Sequence, residues 1–298
     1  MERGGSVPQL RPLRLLTLIR VLTMMLFGAV MTASPMSPAS AAPLPASLYL
    51  ALGDSVAAGV GADPPSVNGY VPVLYDELAA ARSCGQGEAL GCRLDLLNIA
   101  VPGATTSTLI AGQLPEAVGL LHERNGNAIP VDDVDLVTLD IGGNDVFGPI
   151  IAACTDPQSP TCVATILARL QAVDANYEVI LSALRAAAGP DTTIAVMTYY
   201  NPLPACRLSA LAPLAQLVLE GGGPVPAGLN DIIRARAAAH DAVAAETGPL
   251  SGPGDLVGGT DCLHPNNSGH AKIAGAFSQA IDVEAVVGPP GQGVRGPL

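Results

Sequence analysis

The sequence predicts an α/β fold in which a parallel β-sheet is covered by helices on both faces. Two observations predict it. Strand-like apolar runs alternate with segments of helical spacing along nearly the whole sequence, the pattern of successive βαβ units. The polar, glycine-bearing stretches fall just after the strands, where open α/β sheets carry their sites.

The elements follow in order. LYLAL (48–52) reads as a strand and runs into the turn-rich GDSVAAGVG (53–61). GYVPVLYDELAAAR (69–82) has helical spacing, with Pro72 near its start where a proline is tolerated. RLDLLNIAV (93–101) is strand-like and stops at Pro102-Gly103. Residues 105–121 read as a helix broken at Pro115. VDLVTLDIGGND (134–145) is the strongest strand of all, rich in apolar and β-branched residues and ending in a Gly-Gly turn. Residues 162–188 form a long amphipathic helix stopped by Gly189-Pro190. TTIAVMTYY (192–200) is another strand, 229–247 another helix, and 265–286 contains the last. Residues 201–228 interrupt this alternation with a long apolar insertion carrying five prolines. It is expected either to line or cover a site or to complete the core.

Composition narrows the class. Arg3, Arg11, Arg14 and Arg20 precede an apolar run from Val21 to Ala33, and a small-residue stretch ends at Ala39-Ser40-Ala41. This is the order of a secretory leader, with cleavage expected after Ala41. The apolar run falls short of a membrane span, and no paired arginines point to the twin-arginine route. The domain itself is expected over 42–287, with a disordered Gly/Pro-rich tail at 288–298. The formal charge of −12 and the single lysine, Lys272, leave no basic patch for nucleic acid. Six cysteines, at 84, 92, 154, 162, 206 and 262, suit an exported protein stapled by disulfides, although six allow fifteen pairings. Local bridges Cys84–Cys92 and Cys154–Cys162 are the simplest, leaving Cys206–Cys262. No C-x-x-C spacing supports zinc.

Ser55 lies directly after the first predicted strand. A serine nucleophile needs a base, an acid that orients the base, and donors for the oxyanion. Of the four histidines, His264 in TDCLHPNNSGH (260–270) stands three residues after Asp261. Such a pair can share a bond from ring N–H to carboxylate and leave the other ring nitrogen free for a serine. The bland alternative makes Asp261 and Asn266 backbone caps. His270 is expected to pack or cap, and His122 and His240 to be solvated. Gly103 in NIAVPGATT opens a predicted helix, whose first N–H groups are free. Asn144 in IGGND can offer a side-chain donor, and the Ser55 N–H is a third.

GDSVAAG (53–59), the glycine of VPGATT, GGND (142–145) and DCLHP (261–265) together resemble the four sequence blocks of the GDSL, or SGNH, hydrolase family, in that family's order. The resemblance implies a flavodoxin-like three-layer α/β/α sandwich. It implies Ser55 as nucleophile, His264 as base, Asp261 as its orienter, and Ser55, Gly103 and Asn144 as the oxyanion hole, with no cofactor or metal. Val56 stands where the name-giving motif has leucine. The sequence is similar to secreted actinobacterial esterases and lipases with three disulfides.

Other readings fit less well. The middle of the sequence holds no G-x-S-x-G, and neither a P-loop nor G-x-G-x-x-G occurs. Spacing does not favour Asp140, Asp145, Asp261 and His264 as metal ligands. A silent binding protein of this fold would be expected to lack Ser55 or His264. The expected activity is hydrolysis of lipid or aliphatic esters by a monomer that touches lipid surfaces transiently. A carbohydrate O-deacetylase is the alternative, disfavoured by the absence of tryptophan and the 3% aromatic content.

Overall fold

The computed structural model describes residues 45–82, 93–154, 159–248, 250, 252 and 254–287. The expected leader, the tail and the cysteines at 84 and 92 lie outside the described residues.

Five strands form one parallel sheet: β1 (Ser47–Gly53), β2 (Leu94–Asn98), β3 (Val134–Asp140), β4 (Thr193–Met197) and β5 (Val243–Ala245), in the order β2-β1-β3-β4-β5. All seven residues of β1 are buried, and β3 is nearly as enclosed, as central strands covered on both faces must be. β2 is an edge strand, and its burial fades toward Asn98. The regular strand ends there, although the N–H groups of Ile99 and Val101 still donate to the carbonyls of Ala51 and Gly53, so residues 99–101, expected in the strand, continue its hydrogen bonding outside regular geometry.

The helices are α1 (Pro65–Asn68), α2 (Tyr70–Ala81), α3 (Thr106–Ala111), α4 (Gln113–Asn125), α5 (Gly143–Ala153), α6 (Pro160–Ala188), α7 (Ala212–Glu220), α8 (Leu229–Ala239), α9 (Asn267–Ala280) and α10 (Val283–Val287). They pack as two groups. The stretch from α3 to α8 forms one layer, and α1, α2, α9 and α10 form the other. The result is a three-layer α/β/α sandwich. In the second layer the rings of Tyr70 and Phe277 stack at 5.1 Å between α2 and α9, a contact worth about 0.5–1.5 kcal/mol beyond its buried area.

Two further expectations need correction. The helix predicted over 229–247 ends at Ala239. Asp241, in the left-handed region at φ 50°, turns the backbone into β5. A three-residue strand of Val-Ala-Ala has too little pattern to be told from the helix before it. The break in 105–121 falls at Gly112, not Pro115. Pro115 sits in the first turn of α4, where its missing N–H leaves no intrahelical bond unmade. Helix α5, directly after the Gly142-Gly143 turn, is not foreseen from the sequence at all.

The order β2-β1-β3-β4-β5 reverses direction between β1 and β3. The carboxyl ends of those two strands therefore open a crevice, the usual ligand position of a doubly wound sheet. A second, antiparallel pair, β6 (Leu256–Gly258) and β7 (Asp261–Pro265), borders it. The insertion at 201–228 folds into two short 3-10 turns and α7, and Leu203, Leu211, Leu214 and Ala215 pack against Phe147 and Ile150 of α5. Its Cys206 is bridged to Cys262 of β7, and Cys154 to Cys162 joins the end of α5 to the start of α6. Among the described residues no helix is long and apolar enough to cross a membrane.

Candidate active site

Ser55 follows Asp54 at the end of β1. The Asp54 N–H still donates to the Asp140 carbonyl at 3.1 Å, extending the strand pairing by one residue. The backbone then curls, with Ala58 N–H bonded to the Asp54 carbonyl and Val60 N–H to that of Ser55. The Asp54 carboxylate accepts from the Val56 N–H at 2.9 Å, a local side-chain turn that fixes the bend. Ser55 is left half-buried at its apex, between the buried Asp54 and Val56.

The base comes from β7. His264 Nε2 stands 2.9 Å from Ser55 Oγ, and His264 Nδ1 stands 2.9 Å from each oxygen of Asp261. Asp261 also receives the backbone N–H groups of Leu263 and His264 at 3.3 Å. Burial raises the Asp261 carboxyl, but the bonds and charge of His264 and these two amides outweigh it, and the net shift is downward. Asp261 is thus held ionised beside the ring. The two residues before His264 are fixed: Cys262 by its bridge to Cys206, and Leu263 by a 2.8 Å bond from the Tyr200 hydroxyl to its carbonyl. The helix-cap alternative applies to Asn266, which accepts from Gly269 N–H at the start of α9.

On the far side of Ser55, Asn144 in the first turn of α5 donates from Nδ2 to the Ala104 carbonyl at 2.9 Å. Its neighbour Asp145 accepts from both the N–H and the hydroxyl of Thr106, at 2.9 and 2.6 Å. Two adjoining residues of the β3–α5 turn thereby tie down the loop after β2. Gly103 lies in that loop with φ +81°. It does not open a helix, because α3 begins at Thr106 with Thr105 as its cap. Gly103 is also exposed and is not among the residues lining the cavity beside Ser55. Among the described residues neither the Ser55 nor the Gly103 N–H meets a protein acceptor.

That cavity, of about 200 Å³, touches Ser55, Asn144 and His264. Its other walls include Phe147, Tyr199, Tyr200, Pro202 and Leu263. The insertion thus contributes Pro202 alone to the cavity, while its Leu203, Leu214, Ala215, Val218 and Leu219 are buried. Both tyrosine hydroxyls are engaged, Tyr199 with Asp54 at 2.8 Å and Tyr200 with Leu263, so the rings face the cavity as apolar surface.

Of the remaining histidines, His270 and His122 meet expectation and His240 does not. His270 is fully buried: its Nδ1 accepts from Tyr70 N–H and its Nε2 donates to the Val60 carbonyl. His240, expected in solvent, is half-buried against Glu178 at 3.1 Å, at the junction of α6 and α8. His122 is exposed. Sequence reasoning missed Tyr199, Tyr200, Phe147 and above all Asp54 and Asp140, which meet beneath Ser55. The one available signal for Asp140 was a carboxylate at the end of a strand whose residues are nearly all buried.

The sequence profile described as the GDSL-like lipase/acylhydrolase family matches residues 51–272. No curated protein sequence matches this one. Among solved structures, a lipase from a goat rumen metagenome is 18% identical, with 78% of this chain and 96% of that one covered at a TM-score of 0.55. A catalytic mutant of an acetylxylan esterase from Geobacillus stearothermophilus is 16% identical, with 80% and 95% covered at a TM-score of 0.51. At these identities both likenesses concern the fold.

Proposed function

The chain belongs to the GDSL-like lipase/acylhydrolase family and is a carboxylic ester hydrolase, and from that premise we propose that it is a secreted serine esterase acting on lipid or aliphatic acyl esters. The observation that carries the reading is His264 set between Ser55 Oγ and Asp261, at 2.9 Å on either side. His264 Nε2 takes the hydroxyl proton as Ser55 Oγ attacks the ester carbonyl carbon. The N–H groups of Ser55 and Gly103 and the Asn144 amide hold the oxyanion that forms. Collapse expels the alcohol, which takes the proton back from His264. Water, deprotonated by the same ring, then attacks the acyl-serine; the acid leaves and Ser55 regains its proton. Asp261 keeps the ring in the tautomer that presents a bare Nε2 and stabilises the imidazolium between steps.

The cavity walls support an aliphatic acyl group. Beyond the groups assigned to the chemistry, the lining side chains are apolar or, in Asp54, Tyr199 and Tyr200, already hydrogen-bonded within the protein. None of these wall side chains remains to hydrogen-bond a sugar hydroxyl, and burial of each methylene contributes about 0.8 kcal/mol. Export is supported by the order of the N-terminal segments and by the two disulfides, bonds that persist in oxidising compartments.

The test is a series of p-nitrophenyl esters of rising acyl length beside acetylated xylan. Rates that rise beyond the acetyl ester, with xylan untouched, are expected. Activity confined to acetyl groups would favour a carbohydrate O-deacetylase.

A further inference from the structure

Two buried carboxyl groups meet directly beneath the serine. Asp54 is 2% exposed and Asp140 not at all. They lie at the ends of adjacent parallel strands, where the Asp54 N–H donates to the Asp140 carbonyl and the two carboxyl groups take the neighbouring amides of Val56 and Ala57. Every hydrogen bond to either carboxyl comes from a donor. Asp140 accepts from the Tyr70 hydroxyl at 2.6 Å and the Ala57 N–H at 3.2 Å, and Asp54 from the Val56 N–H and the Tyr199 hydroxyl.

The surroundings make a second negative charge expensive. Tyr49 of β1, Tyr70 of α2, Tyr177 of α6 and Tyr199 and Tyr200 after β4 face the pair, as does His264 from β7. Among the described residues no arginine or lysine is bonded to either carboxyl. Like charges in contact in a buried site do not both ionise. Burial and the facing Asp54 accordingly push Asp140 well above the ordinary carboxylate range, and burial raises Asp54 as well.

We propose that Asp54 and Asp140 hold one shared proton between them and serve as the positioning element of the reacting serine. The pair grips the backbone on the C-terminal side of Ser55 through the Val56 and Ala57 amides. Through Tyr199 it also fixes one wall of the cavity. Its single residual charge faces His264, where positive charge develops as the serine gives up its proton. Asp140 is the donor of the shared proton and Asp54 the acceptor, so an asparagine at 140, whose amide N–H₂ can donate in place of the acid, keeps the link while an alanine breaks it.

This assignment rests on Ser55 being the nucleophile, and the readouts keep the two apart. Infrared spectra of the wild type and Asp140→Asn at neutral pH are expected to differ by the carbonyl band of a protonated carboxylic acid, present only in the wild type. That band does not depend on activity. The kcat of Asp140→Asn on p-nitrophenyl butyrate is expected to exceed that of Asp140→Ala at least tenfold, with KM similar in both. Absence of the band overturns the shared proton. Equal kcat in two folded variants overturns the positioning role. Should Asp140→Ala fail to fold, the infrared comparison decides alone. Loss of Ser55→Ala activity in the same assay, with either negative result, would leave the esterase reading standing.

Discussion

His264 Nδ1 lies 2.9 Å from both oxygens of Asp261, three residues earlier on the same five-residue strand. In a regular strand, residues three apart face opposite sides of the sheet. Here the irregular β6–β7 pairing and the amide bonds from Leu263 and His264 curl the segment so that the two side chains meet. Asp261→Asn keeps the shape but loses the charge and the preference for the productive tautomer. The expected result is a fall in kcat of roughly 10²–10⁴-fold with KM little changed. A rate within threefold of wild type would mean that another group orients the ring.

Asn144 is held by the Ala104 carbonyl through one of its two amide hydrogens, so the second is the one available to a substrate oxygen. Asn144→Ala should lower kcat by about 10²–10³-fold, the usual cost of one oxyanion donor. The melting temperature checks that the fold is intact, because the Asp145 bonds to Thr106 remain.

Gly53 is confined by the carboxyl it faces. A Cβ there would come within 2.5 Å of Asp140 Oδ1 and 2.6 Å of its carbonyl oxygen, at φ +151°. Gly53→Ala is therefore expected to destabilise the protein by at least about 2 kcal/mol, combining overpacking with backbone strain. Denaturant unfolding measures it; an unchanged midpoint would mean that β1 and β3 can separate at no cost.

The fold was legible because β1 and β3 are dominated by apolar residues, and the reacting groups because Ser55, Asn144 and His264 fall just after strand ends or in a short polar motif. What escaped did so for physical reasons. β5 is too short to show a period, and α5 begins on glycines that read only as a turn. Asp54 and Asp140 lie far apart in sequence, and the adjacency of β1 and β3 in the sheet is what brings them together. The tyrosines after β4 looked like strand, since aromatic residues suit a strand as well as a cavity wall.

His270 makes the stability pH-dependent. Burial, first, and the nearby His264 lower its affinity for a proton. Protonation would also oblige Nδ1 to give up the Tyr70 N–H. In the unfolded state the ring titrates near pH 6.5. As pH falls below that value, the unfolded state binds a proton that the folded state does not, so stability is lost toward the lowered folded pKa. Thermal melts from pH 7 to 5 should show this loss in the wild type and a smaller one in His270→Gln. Equal losses would show that His270 titrates alike in the folded and unfolded states.

The central claim is that Ser55 attacks the ester. Ser55→Ala removes one oxygen from a half-buried turn and disturbs none of the carboxyl or amide bonds around it, so the variant should fold as the wild type does. Its kcat on p-nitrophenyl butyrate is the direct measurement. A fall of at least about 10³-fold, leaving the residual catalysis of oxyanion donors and binding, is the result expected. Full activity in the folded variant would contradict the account.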